Sequence, residues 1–117
     1  MPKSSRKSLH RTRIWISCDL GVRGDYERWY AWLDRHKAKE CVGSLAVLTY
    51  EYSRSLLDEL KRDLTQTIEV TKRVRAYVIY RDAQSTKMKG TFLFGGRRVP
   101  PWTGYAGESE DVSDDES

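Results

Sequence analysis

The chain of 117 residues has room for one hydrophobic core, and its 38% apolar, 32% charged and 11% aromatic composition is that of a folded globular domain, which excludes wholesale disorder. No apolar run approaches the roughly 20 residues of a membrane helix, no signal-peptide segment opens the chain, and neither Cys18 nor Cys41 has partners at zinc spacing. The expected compartment is therefore the cytosol, with both cysteines read as buried free thiols, and the formal charge of +4 favours polyanion partners, although solubility alone also accounts for it.

Residues 1–12 carry Lys3, Arg6, Lys7 and Arg11 among serines and read as a disordered basic arm. From Ile14 to Leu20 the apolar residues Ile14, Ile16, Cys18 and Leu20 alternate with Trp15, Ser17 and Asp19, the period of a half-buried strand. Gly21 and Gly24 break it, Asp25 is placed to cap, and Tyr26, Trp29, Tyr30 and Leu33 recur at helical spacing to about Lys37. A short strand around Glu40 to Val42, a Gly43-Ser44 turn and a strand from Leu45 to Tyr52 follow.

Ser55 with Asp58 three residues on resembles a capping box, and Leu56, Leu57, Leu60, Leu64 and Ile68 form the stripe of a second amphipathic helix. Alternation returns from Arg73 to Arg81, and after a turn over Asp82 to Thr86 the stretch Met88 to Phe94 reads as a hairpin partner. Gly95, Gly96, Pro100 and Pro101 end regular structure, and residues 106–117 read as a disordered acidic tail. The order strand, helix, strand, strand, helix, strand, strand predicts a single α+β domain over residues 13–105. It is a ferredoxin-like split βαβ antiparallel sheet with both helices on one face and an extra C-terminal hairpin strand. Trp15, Ser17 and Asp19 then lie on the open face, a surface for a second copy or another protein partner.

Several chemistries are set aside. His10 and His36 have no paired nucleophile, and no phosphate loop of the GxxxxGK[ST] type occurs. Asp19 remains, a carboxylate at a strand end followed by Arg23 and Asp25. Magnesium takes oxygen ligands and keeps several waters, so one Asp19 per chain serves if a dimer axis pairs two of them at a nucleic-acid phosphate, with Arg23 clamping that phosphate and Asp25 a weaker second ligand. The alternative is that Asp19 only ends the strand and caps the turn.

Residues 13–81 resemble the small ferredoxin-like nucleases of the CRISPR-associated Cas2 and VapD group. The likeness lies in the strand Arg13–Asp19, the helix after it, the region from Gly43-Ser44 to Tyr52, and the second helix feeding Val74 to Tyr80. Asp19 falls where that family has its strand-end aspartate, whereas Cys18 stands where an aromatic is common. The resemblance implies a homodimer whose paired aspartates hold a divalent metal such as Mg2+ for phosphodiester cleavage of RNA or DNA. Some members of the group are noncatalytic scaffolds. On the nuclease reading Asp19 is the metal ligand, Ser17 orients water and Arg23 holds phosphate.

A second constellation, Lys87, Lys89, Arg97, Arg98, Trp102 and Tyr105, combines bases for phosphates with rings for unpaired bases; its alternative is a Pro-Trp segment packed back on the sheet edge. Glu108, Glu110, Asp111, Asp114, Asp115 and Glu116 close the chain without a base and can imitate a polyanion. On that reading, deleting residues 108–117 tightens nucleic-acid binding at low salt, measured by fluorescence anisotropy. An unchanged affinity leaves the tail as a solubility device.

Overall fold

The computed structural model describes residues 9–107, so most of the arm and the acidic residues after Gly107 lie outside the described residues. Strand β1 (His10–Asp19) buries Ile14, Ile16 and Cys18 on one face and turns Arg13, Trp15, Ser17 and Asp19 to the other, as its alternation dictates. It opens at His10, earlier than the alternation indicates. Residues 10–12, expected in the arm, pair with Tyr52, Glu51 and Tyr50, and the His10 ring lies 5.3 Å from that of Tyr52. The pairing partner, not hydrophobic pattern, extends this strand.

Helix α1 (Tyr26–Arg35) follows the Gly21–Gly24 turn. Trp29 and Trp32 are its buried residues, while Tyr30, expected inside, is 60% exposed. Trp32 is buried with its indole N–H donating to Asp63 Oδ2 at 3.1 Å, which removes the penalty of enclosing a polar atom. Asp25 occupies the N-cap position, but its side chain caps nothing; it accepts from the Glu69 N–H at 3.3 Å and faces Arg28.

The edge strand β2 (Lys39–Val42) is exposed along its whole length, and β3 (Leu45–Tyr52) follows through Gly43, whose φ of 61° suits glycine. Cys41 is therefore exposed, against the expectation of a buried thiol, because β2 lies at the sheet margin with no layer over it. Helix α2 (Leu56–Thr67) buries Leu56, Leu60 and Leu64, and β4 (Arg75–Arg81) and β5 (Met88–Phe94) complete the regular structure of the described residues.

The strands form a single five-stranded sheet in the order β2-β3-β1-β4-β5, every neighbouring pair antiparallel, so the fold is α+β with β3 inserted between β1 and β2. One core cluster joins β1, β3, β4 and β5 to both helices, centred on Ile14, Ile16, Trp32, Leu60, Leu64 and Val78. A bulge lets Ala76 face Phe94 and Tyr77 face Phe92, so the consecutive Leu93 and Phe94 both reach the core. Among the described residues no helix is long and apolar enough to cross a membrane.

The start of α2 is tied by a residue the sequence reading missed. Ser55 Oγ accepts from the Asp58 N–H at 3.2 Å, the forward half of a capping box. The reciprocal half comes from Glu59, whose carboxylate accepts from the N–H groups of Ser53 (2.8 Å), Arg54 (2.7 Å) and Ser55 (2.9 Å). Those backbone donors hold its pKa down at about 2 against an ordinary 4.5. A depressed carboxylate pKa stabilises the fold fully above about pH 4.5, and the contribution is lost as the pH falls toward about 2. Glu59→Gln is expected to lower the thermal midpoint near neutral pH, with the gap from wild type closing over that acid window in a circular-dichroism pH series.

Candidate nucleic-acid interface

Asp19 ends β1 with its Oδ1 accepting from the Gly21 N–H at 3.0 Å and its Oδ2 3.7 Å from Arg75 Nη2. Its side chain is 49% exposed. The turn engages one oxygen and the cation faces the other, and among the described residues no group of three or more His, Cys, Asp or Glu stands where it could hold a metal ion. A single Asp beside an arginine does not fit a magnesium site within one chain. Ser17 Oγ lies 2.6 Å from Ser44 Oγ and is thereby engaged by the β2–β3 turn. Arg23 lines a cleft of about 390 Å³ with Asp25, Glu69, Lys72 and Arg73, which neither Asp19 nor Ser17 lines.

The C-terminal constellation is divided by the β4–β5 hairpin. Lys87 sits in its turn and Lys89 pairs with Asp82 at 3.7 Å, whereas Arg97 lies past the other end of β5. Arg75 Nη1 donates to the Gly96 carbonyl at 3.3 Å, which fastens that end beside Asp19. The Arg97 guanidinium lies 5.9 Å from the Tyr77 ring centroid and 5.6 Å from that of Phe92. Arg98 is exposed, and Trp102 (72%) and Tyr105 (87%) stand out in a succession of turns over residues 100–107, not packed back on the sheet edge.

A further basic surface lies elsewhere. Arg11, Arg13, Lys37 and Lys39 line a cleft of about 400 Å³ beside Val47 and Thr49 of β3. It runs into a second, of about 520 Å³, that shares Arg11, His36, Lys37 and Thr49 and adds Arg35, Glu51 and Asp63. The β1–β3 register sets Arg13 opposite Thr49, and the cleft brings Arg11 and Arg13 of β1 beside His36 and Lys37 at the end of α1. Glu51 faces Arg11 at 3.6 Å, and Asp63 Oδ2 accepts from Trp32 and from the Tyr50 hydroxyl at 2.8 Å, so both acids have structural partners. Burial and the Asp63 hydrogen bond push the Tyr50 phenol up, so it stays neutral. His36 Nδ1 bonds the Trp32 carbonyl at 2.9 Å, with its ring 4.2 Å from that of Trp32.

Lys37 has an unusual backbone. Its φ of 56° is left-handed, and its N–H donates to the Asp34 carbonyl while the Ala38 N–H donates to that of Leu33, both at 3.0 Å. This is a Schellman helix ending with lysine where glycine is the usual residue. The sequence signal was present in the run Arg35-His36-Lys37-Ala38-Lys39, but only the β1–β3 pairing shows that it converges with Arg11 and Arg13.

No family model, curated protein or solved structure matches the chain.

The two thiols differ in chemistry. Burial, with Asp19 adjacent, raises the Cys18 pKa to about 12, whereas Cys41 is exposed. A maleimide at neutral pH is expected to label Cys41 alone in the native protein and both cysteines in denaturant, read by mass spectrometry of the labelled peptides.

Proposed function

We propose that this chain is a nucleic-acid-binding protein that holds the phosphate backbone in the groove lined by Arg11, Arg13, Arg35, Lys37 and Lys39. The observation that carries the reading is the convergence of those five bases on two adjoining clefts against two acids, Glu51, which pairs with Arg11, and Asp63, which accepts from Trp32 and Tyr50. Phosphate contacts of this kind supply most sequence-independent affinity. The strained lysine supports it. A non-glycine residue in the left-handed region costs about 1 kcal/mol, and such strain collects at functional positions.

The strand order and the split βαβ crossover support a ferredoxin-like fold extended by β5. The narrower reading, a magnesium-dependent nuclease of the Cas2 and VapD kind, draws on Asp19, which keeps an exposed carboxylate at the end of β1. One chain's donors do not suit the metal, so that activity requires a second copy's Asp19. The noncatalytic form needs no such addition and is preferred.

Anisotropy titrations of labelled RNA and DNA across a salt series test the binding. Arg13→Gln should weaken affinity and lower the salt slope by about 0.7–0.9, the loss of one phosphate contact. Lys37→Gly should raise the thermal midpoint, by relieving the left-handed strain, and still weaken binding. Stabilisation with unchanged affinity counts against the groove. Cleavage that needs magnesium and disappears in Asp19→Asn, with binding retained, would restore the nuclease.

A further inference from the structure

The open face of the sheet carries aromatic rings in the middle of a basic field. The register aligns Val47, Trp15, Ile79 and Gly90 across four strands in one row, and Leu45, Ser17, Tyr77 and Phe92 in the next. All six apolar side chains are half-buried and lie outside the core cluster that the two helices cover. Tyr77 and Phe92 meet edge to face at 4.9 Å. A Cβ at Gly90 would collide with the Tyr77 hydroxyl, so the Tyr77 ring lies down over the glycine. These contacts fix the rings before any ligand arrives, which lowers the entropy lost on binding.

Charge decides what covers this face. Its strand residues include Arg11, Arg13, Lys39, Arg75 and Arg81 against Asp19 and Glu51, and both carboxylates already face arginines. On β1 the two apolar rows, through Trp15 and Ser17, lie within the ~20 Å that separates Arg13 from Asp19, the latter beside Arg75. Val47 lines the phosphate groove and is also the cross-strand neighbour of Trp15, so groove and rings are one continuous surface. Two copies stacked through this face would oppose their arginines, whereas a polyanion neutralises them.

We infer that the face around Trp15, Tyr77 and Phe92 is a stacking platform for the unpaired bases of a single-stranded nucleic acid whose phosphates lie in the adjoining groove. The inference rests on the nucleic-acid reading above and adds its substrate class, unpaired over duplex. Arg97, above Tyr77 and Phe92, is the cation that a base would slide beneath or displace. A stacked ring is sequence-tolerant, since every base offers a π face.

Three fluorescein-labelled probes test it: an oligothymidylate, an abasic strand of equal length, and a duplex. Trp15→Leu and Phe92→Leu keep the surface apolar while removing a ring, and circular dichroism checks their folding. Each is expected to weaken oligothymidylate binding about 5- to 100-fold and to leave the abasic strand and duplex unchanged. Equal losses on all three probes, or none, would overturn the platform while leaving the phosphate groove standing. If wild type binds no probe at any salt concentration, the groove falls with it. A light-scattering mass of twice the chain's that drops to one in the leucine variants, with strand binding intact, assigns the face to a second copy and also overturns the inference.

Discussion

Alternation along β1 sorts the whole molecule into inside and outside, and it is held from both edges. Ile14, Ile16 and Cys18 enter the core because β3 and β4 pair antiparallel with β1 over the same stretch, from Trp15 to Ser17 on both sides. A slip of one residue against either neighbour would send Trp15 and Ser17 into the helices and expose the isoleucines. The register is therefore fixed by burial, and with it the placement of every basic and aromatic side chain on the open face. The core and the open basic face are two outcomes of one pairing.

Around that pairing the fold commits its carboxylates to structural tasks. Asp19 closes a turn, Asp25 ties the end of α2 to the start of α1, Glu59 gathers the loop before α2, and Asp63 satisfies two buried aromatic donors. Asp82 likewise organises the β4–β5 turn, where bonds from Ser85 and the neighbouring Lys89 lower its pKa. In the clefts beside β3, Arg11 pairs with Glu51, while Arg13, Arg35, Lys37 and Lys39 add cations to the same lining.

Most of the architecture was legible because periodicity reports burial directly. The stripe Leu56, Leu60, Leu64 is buried, and the strand Leu45 to Tyr52 and the hairpin partner Met88 to Phe94 appear in the structure at their expected bounds. What escaped was set by partners distant in sequence. Trp32 is inside instead of Tyr30 because Asp63, thirty-one residues away, receives its N–H. Cys41 is outside because β2 is an edge, a fact of strand order that local composition does not contain. The basic groove was invisible for the same reason: Arg11 and Lys37 are unrelated until β1 and β3 pair. Asp19, singled out by its place at a strand end, stands there, but its neighbours are an arginine and a turn and not a ring of oxygens.

The edge itself has a consequence for how this protein meets others. β2 is four residues long, carries Lys39 and Glu40, and shifts register between Glu40 and Val42. A short, charged, irregular margin presents no straight ladder of amide donors and acceptors for a foreign strand to copy. Backbone templating of the sort that seeds fibrils is blunted on that side, and recognition passes to the side-chain surfaces.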